Sequence, residues 1–233
     1  MVDIHSHIIW GIDDGARSIE EAIKLIREAH SQGVNAIFAT PHYNPAGSPK
    51  AEQIRERASD LNKRLKDEGL DIIIYTGNEV MYFEDIISHL RDGKILGLAD
   101  SDYVLIEFYP DDEYRNIVKA VRSMVNAGYC PVIAHAERYK SLYEYGLDEL
   151  ISMGAYIQLS TEPLQGGIFR KDSTFIKKQL KKGNVHFMGS DMHNMDKRPP
   201  KNAKAIRWIK NNIENADDIL EENVRFIIDN EIL

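Results

Sequence analysis

Seven short apolar segments alternate with longer amphipathic ones along the chain, and this alternation is the feature that most restricts its fold. In the longer segments apolar residues recur at helical spacing, as Ala22, Leu25, Ile26 and Ala29 do. The short segments, which are four to seven residues long, predict strands. The predicted strands cover residues 2–7, 34–40, 71–76, 103–106, 131–134, 155–159 and 185–188.

Repeated strand–helix units without a linker or a low-complexity stretch predict one parallel α/β domain over residues 1–233. Apolar strands separated by amphipathic helices form either a closed barrel or an open, doubly wound sheet. The glycine patterns of nucleotide-binding open sheets are absent, both after the first strand and elsewhere. The choice between barrel and open sheet therefore depends on the polar residues.

Six of the seven predicted strands end in side chains that can bind a metal ion. These side chains are His5, His7, His42, Glu79, Glu107, His135, Asp191 and His193. His5 and His7 point the same way because side chains alternate along a strand. In a parallel α/β barrel the carboxyl ends of all strands share one face, where the active site is built. We therefore predict a barrel with a metal site at the C-terminal ends of its strands.

The distribution of the histidines supports a metal site. Five of the eight histidines lie at strand ends, among Glu79, Glu107 and Asp191. We predict structural roles for the other three, which are His30, His89 and His186.

The number of potential ligands exceeds the need of one ion, since an octahedral ion takes about six donors and a catalytic zinc commonly three protein ligands plus water. Asp13 or Asp14, in the loop after the first strand, adds a further candidate. The alternative for this pair is a turn, which Asp and Gly favour. We expect two or three ions with a bridging carboxylate, for which Glu79 is the better candidate. Imidazole and carboxylate without thiolate suit manganese, iron or zinc.

Composition excludes several other functions. The 29 basic and 37 acidic residues leave a net charge of −8, which argues against binding to nucleic acid or to an anionic membrane. No apolar run approaches 18 residues, so no membrane insertion is expected. The N-terminus lacks a secretory pattern, and we expect a cytoplasmic protein. Cys130 is the only cysteine and has no arginine six residues later, which excludes a thiol-based phosphatase.

Five short motifs resemble those of the polymerase and histidinol phosphatase (PHP) superfamily. They are residues 3–7 (DIHSH), 11–15 (GIDDG), 39–42 (ATPH), 133–135 (IAH) and 189–194 (GSDMHN). More closely, the chain resembles the bacterial manganese-dependent protein-tyrosine phosphatases of capsule and exopolysaccharide operons. It departs from them at Ala136, where proline is usual, and in the loop of residues 161–167.

The resemblance implies a distorted (β/α)7 barrel that holds three Mn²⁺ ions, with iron or zinc as alternatives. The implied ligands of the first ion are His5, His7, Glu79 and Asp191. The implied ligands of the second ion are Glu79, Glu107 and His135. The implied ligands of the third ion are His42, His193 and either Asp13 or Asp14.

The activity that the resemblance implies is hydrolysis of phosphotyrosine by a metal-activated hydroxide. Arg138 would bind the phosphate, with Arg198 as a second candidate. The alternative for Arg138 is a surface charge at the start of a helix. The implied partner is a phosphotyrosyl protein, namely a bacterial tyrosine kinase that regulates polysaccharide synthesis. Alternative functions are a small-molecule phosphatase such as histidinol phosphatase, a metal-dependent amidohydrolase and a catalytically silent metal-binding protein.

Overall fold

The computed structural model describes residues 1–47, 50–165 and 170–233. Within these residues nine strands pair with one another in parallel. The strands are β1 (Val2–Ser6), β2 (Ala36–Ala39), β3 (His42–Tyr43), β4 (Ile73–Thr76), β5 (Glu79–Met81), β6 (Tyr103–Glu107), β7 (Cys130–Ile133), β8 (Tyr156–Ser160) and β9 (Phe187–Gly189).

Two short strands that were not predicted, β3 and β5, account for the nine observed. After each interruption of the extended chain a new strand begins: β3 begins at His42 after β2, and β5 begins at Glu79 after β4. Pro41, in the first interruption, has no N–H to donate to a neighbouring strand. Beyond both breaks His42 and Glu79 become register partners. The interruptions therefore place two predicted ligands side by side.

The strands form two hydrogen-bonded sheets, ordered β1-β2-β4 and β3-β5-β6-β7-β8-β9. The end of β9 returns to β1, where the Asp191 N–H donates to the His5 carbonyl (2.8 Å) and the His7 N–H to the Met192 carbonyl (2.9 Å). The Ser190 N–H also donates to Asp3 Oδ1 at 2.8 Å. These bonds join the first strand to the last. The predicted distorted (β/α)7 barrel is thereby confirmed.

Helices cover the outside of the barrel. They are α1 (Ile19–Ser31), α2 (Ala51–Asp67), α3 (Ile86–Arg91), α4 (Tyr114–Asn126), α5 (Lys140–Tyr145), α6 (Asp148–Ser152), α7 (Lys171–Lys182), α8 (Ala203–Asn212) and α9 (Val224–Ile228). Helix α4 is representative, because Ile117, Ala120, Val121 and Met124 lie on one face and are buried. Full burial of an isoleucine, valine or methionine side chain contributes about 1.5–3 kcal/mol to the free energy of folding.

A smaller apolar cluster includes Tyr103, Leu105, Val132 and Phe187 from the strands. Because side chains alternate along a strand, Leu105 points the same way as Glu107, two residues later. Leu105 therefore places part of this cluster on the same side of β6 as Glu107.

One local prediction was wrong, and two helical segments are irregular. The segment of residues 140–152 forms two short helices, α5 and α6, separated by Gly146 with a φ of 81°. His186 precedes β9 rather than lying inside a strand. The last helical segment contains the π-helical turn Asp218–Glu222 directly before α9. In the part of the chain that the structure describes, no helix is both long and apolar enough to cross a membrane.

Candidate metal centre

The structure gathers the predicted ligands into groups at the carboxyl ends of the strands. Three groups bring donor atoms within 4.8 Å of one another. The groups are His5, His7, Glu79 and Asp191; His42, Glu79 and Glu107; and His7, Asp14, His42 and His193. Glu79, His7 and His42 each belong to two groups, and of these three only Glu79 is a carboxylate.

The first group lies where β1 meets β9 and is fully buried. Glu79 Oε2 is 3.1 Å from His5 Nε2 and 3.2 Å from His7 Nε2. Asp191 Oδ1 is 3.5 Å and 3.4 Å from the same two nitrogens. Among the described residues this buried oxygen has no hydrogen-bond partner. A buried, unpaired carboxylate oxygen facing two imidazole nitrogens fits a divalent metal ion.

The second group is centred on the carboxylates of Glu79 and Glu107. His42 Nδ1 lies 3.2 Å from Glu79 and 3.3 Å from Glu107. His135 Nε2 approaches the same pair from β7, at 2.8 Å from Glu79 and 3.6 Å from Glu107. His135 therefore lies beside both carboxylates, although His42 and not His135 completes the second donor group.

The two neighbouring aspartates of the first loop have different surroundings. Asp14 Oδ1 lies 3.4 Å from His193 Nε2 and 3.7 Å from His42 Nε2, so it faces potential ligand nitrogens. Asp13 Oδ2 lies 2.7 Å from His7 Nδ1 and accepts the His42 N–H at 2.9 Å. Asp14 therefore lies among the candidate donors, whereas Asp13 contacts the Nδ1 side of the His7 ring, away from the Nε2 atom that faces the site.

Four imidazoles direct Nε2 towards the site and have a hydrogen-bonding partner at Nδ1. The partners are Gln158 Oε1 for His5 (3.1 Å), Asp13 for His7, the Tyr139 hydroxyl for His135 (3.1 Å) and the Asp191 carbonyl for His193 (2.9 Å). Such bonds orient the ring and decide which nitrogen is free to bind metal. Sequence reasoning missed Gln158 and Tyr139. A polar residue inside an apolar predicted strand could have indicated Gln158.

The charges of the site are strongly coupled. Burial lowers the pKa of His135, but hydrogen bonds with Glu107 and Glu79 outweigh it and raise the pKa to about 9. Burial raises the pKa of Glu79, but the charge of His5 and the hydrogen bond with His135 bring it well below its usual range. Burial and the charge of His7 lower the pKa of His193 to about 4. In the protein without metal, protons on some imidazoles balance the carboxylates.

Two arginines border the site. The Arg138 guanidinium donates to Asp191 Oδ2 at 2.5 Å, and Arg198 donates to the same oxygen and to His193 Nε2 (2.8 Å). Both side chains remain about 40% exposed. They line a cavity of about 470 Å³ together with Asp191. Each arginine can therefore contact both a metal ligand and a molecule in the cavity.

His30, His89 and His186 lie outside the three donor groups, as predicted. His30 Nδ1 lies 2.9 Å from the Val34 carbonyl, and His89 Nδ1 lies 2.6 Å from the Tyr43 hydroxyl. His186 Nδ1 accepts the Ile157 N–H, and burial lowers its pKa to about 4.

The two departures from the family pattern lie near the site. Ala136 begins a 3-10 turn that ends at Arg138. The turn follows His135, whose backbone is in the left-handed conformation (φ 32°). The loop 161–167 contains a second 3-10 turn, Glu162–Gln165, while its residues 166 and 167 lie outside the described residues.

The whole chain is similar to proteins of capsule synthesis. A family model described as capsular polysaccharide synthesis, CpsB/CapC, matches residues 1–229. The tyrosine-protein phosphatase CpsB of Streptococcus pneumoniae is 36% identical over 244 residues, which cover 100% of both chains. The tyrosine-protein phosphatase YwqE of Bacillus subtilis (strain 168) is 33% identical over 240 residues, covering 100% of this chain and 93% of the relative.

One solved structure extends the similarity to the fold. It is one of the crystal structures of YwqE from Bacillus subtilis and CpsB from Streptococcus pneumoniae, which are metal-dependent tyrosine phosphatases. It matches with a TM-score of 0.90 and 31% identity, covering 99% of this chain and 95% of that chain. The similarity defines a metal-dependent enzyme, and its candidate donor groups lie at the carboxyl ends of the strands. The chain belongs to the CpsB/CapC family, which confirms the resemblance inferred from the motifs.

The pKa of His135 predicts how metal binding depends on pH. Below about pH 9 this imidazole is protonated in the metal-free protein, and it must lose its proton to bind an ion. We expect the affinity for Mn²⁺ to rise by at least roughly tenfold per pH unit between pH 6.5 and 8.5. Titration calorimetry in buffers of different ionisation enthalpy measures both the affinity and the protons released. A pH-independent affinity without proton release would contradict the prediction.

Proposed function

We propose that this chain is a metal-dependent protein-tyrosine phosphatase, with residues 1–233 acting as one catalytic domain. The observation that carries the proposal is the contact between metal ligands and arginines at Asp191, beside an open cavity. Phosphate ester hydrolysis needs cations on the non-bridging oxygens and an activated nucleophile, and this arrangement offers both in one place. The tyrosine phosphatases CpsB and YwqE, which align over the whole chain, support the same activity.

We propose three Mn²⁺ ions as the cofactor, in keeping with donors that are all imidazole or carboxylate. The proposed ligands are His5, His7, Glu79 and Asp191 for the first ion; Glu79, Glu107 and His135 for the second; and His42, His193 and Asp14 for the third. When bound, such ions supply a water nucleophile that is activated near neutral pH. Asp13 is assigned to orienting His7, because its carboxylate is engaged by the His7 ring and by the His42 N–H.

Arg138 and Arg198 are the proposed phosphate-binding residues. Their guanidinium groups converge on one Asp191 oxygen from two different loops, so together they flank the entrance to the metal ligands. A planar guanidinium can donate two parallel hydrogen bonds to phosphate oxygens. The phenol of tyrosine, with a pKa of about 10, leaves more readily than an alkyl alcohol. The reaction therefore has little need of a strong general acid.

The cavity combines apolar and charged surface. Pro110, Pro163 and Pro199 form the apolar part of a lining that otherwise consists of polar side chains and of charged side chains of both signs, among them Arg138 and Arg198. Proline rings present flat apolar surfaces without hydrogen-bond donors, against which a phenyl ring can pack while the arginines contact the phosphate. We propose a phosphotyrosyl protein as the substrate and a tyrosine kinase of polysaccharide synthesis as the partner. A cytoplasmic location remains the prediction made from the sequence.

The activity is tested with manganese and three substrates. We expect the purified protein to hydrolyse a phosphotyrosyl peptide, to lose at least about 100-fold in rate with a chelator, and to recover with Mn²⁺. Histidinol phosphate and a hydantoin serve as comparison substrates for the alternative functions. Full activity after metal removal, or a kcat/KM higher for histidinol phosphate than for the peptide, would overturn the proposal.

Arg138 is tested by substitution. We expect Arg138→Ala to lower kcat/KM for the phosphotyrosyl peptide by 10²–10³, roughly the effect of removing one transition-state donor. The number of bound manganese ions at saturating Mn²⁺, measured by elemental analysis, should stay at the wild-type level, because the arginine is not itself a ligand; its bond to Asp191 affects the affinity and not the number of sites. Arg122→Ala, on the exposed face of α4, is the matched control and should retain full activity. Equal kinetics for both variants would remove Arg138 from the mechanism.

The roles of Asp13 and Asp14 are separated by metal content. We expect Asp14→Asn to lower the bound Mn²⁺ from three to two per chain, because a neutral amide is a weak ligand. Asp13→Asn should keep three sites and weaken binding by about 10–100-fold, as loss of a supporting hydrogen bond does. Equilibrium dialysis with elemental analysis measures both numbers. The reverse pattern would exchange the two assignments.

A further inference from the structure

Gln158 lies in β8 and is fully buried next to the metal centre. The strand that contains it is the only predicted strand without a ligand at its end. Its side-chain oxygen Oε1 is shared by two neighbours. It lies 2.8 Å from the backbone N–H of His135 and 3.1 Å from Nδ1 of His5. One amide thus contacts ligands from β1 and β7, which belong to different proposed ions.

The backbone contact determines which way the Gln158 amide faces. A backbone N–H can only donate a hydrogen bond, so its partner must be the side-chain oxygen of Gln158 and not the NH2 group. The orientation of Gln158 therefore follows from the main chain at His135. That main chain is itself held in the left-handed region, at a φ of 32°, which is uncommon for a residue with a side chain.

The orientation of Gln158 in turn determines the tautomer of His5. An oxygen opposite Nδ1 requires a proton on that nitrogen. In neutral imidazole Nε2 then carries the free lone pair. This nitrogen is the one that faces His7, Glu79 and Asp191.

Space around Gln158 is limited on the side of β9. A Cβ placed on Gly189 would lie 2.8 Å from Gln158 Nε2 and 2.6 Å from the Cβ of His5. The glycine therefore lets the Gln158 amide and His5 sit against the last strand. Among the described residues, Gln158 Nε2 has no hydrogen-bond partner, so the contacts of Oε1 alone orient the side chain.

We propose that Gln158 is a positioning residue of the metal centre, which selects the His5 tautomer and couples His5 to His135 through a single oxygen. The inference rests on the metal sites of the proposed function. It assigns to a neutral amide the supporting role that Asp13 has for His7. Because one atom serves two ligands, its loss weakens the first and the second ion together.

The test replaces Gln158 by methionine, which has a similar length but only a weakly accepting sulfur in place of the amide oxygen that contacts His135 and His5. We expect Gln158→Met to lower the affinity for Mn²⁺ by about 10–100-fold, as loss of a bond to a ligating histidine does. Gln158→Glu keeps an acceptor oxygen and should recover most of the affinity. Both are measured by equilibrium dialysis with elemental analysis, alongside circular dichroism and thermal unfolding of the metal-free proteins.

Gln179 provides a matched control. It is also buried, on α7, and its Oε1 accepts a hydrogen bond from Asn184 Nδ2 at 3.0 Å, away from the metal ligands. Gln179→Met makes the same chemical change and should leave the affinity for Mn²⁺ at the wild-type level. Equal affinities of Gln158→Met and Gln179→Met would overturn the positioning role. A wild-type protein that binds no Mn²⁺ would instead overturn the proposed function on which the inference rests.

A direct measurement on the wild-type protein does not depend on the folding of a variant. Nitrogen NMR of the Zn²⁺-loaded protein, with labelled histidine side chains, reports which ring nitrogen of His5 carries the proton. We expect the proton on Nδ1, and in Gln158→Glu as well. A proton on Nε2 of His5 in the wild-type protein would overturn the proposal.

Discussion

The junction between the first and last strands is the constraint on which the rest of the structure depends. Two backbone hydrogen bonds, from Asp191 to His5 and from His7 to Met192, connect residues nearly 190 positions apart. They bring the two ends of the barrel together at the place where the first donor group forms. Because the donors come from opposite ends of the chain, the group cannot form until the barrel closes. The first donor group is therefore complete only in the closed barrel.

Closure concentrates charge that the polypeptide alone balances poorly. Glu79 shares one donor group with Asp191 and another with Glu107, among imidazoles, and burial makes each unbalanced charge costly. Protons on imidazoles and the guanidinium groups of Arg138 and Arg198 provide the balance in the absence of metal. Divalent cations satisfy the same carboxylates with a higher charge density. Metal binding, proton release and the positions of the two arginines are consequently linked.

Much of the fold and the site could be predicted from local patterns. Strand-end ligands such as His42 and His135 could be identified because a parallel barrel places all carboxyl strand ends on one face. The short strands β3 and β5 were missed because segments of two or three residues after a proline or a glycine carry no strand periodicity of their own. Gln158 was missed for a related reason, since a buried amide is recognised only by the groups around it. Asp13 and Asp14 remained equivalent in sequence because adjacent residues share the same local pattern.

The sequence by itself determined the type of fold and the chemistry of the donors, because strand periodicity and residue type are local properties. Tertiary structure alone decided which atoms meet. It separated Asp14, which faces His42 and His193, from Asp13, which holds His7. It also placed one oxygen of Gln158 between two ligands from different strands. The physical reason is that hydrogen bonds are directional and short, so a partner far away in the chain is specified only when the barrel closes.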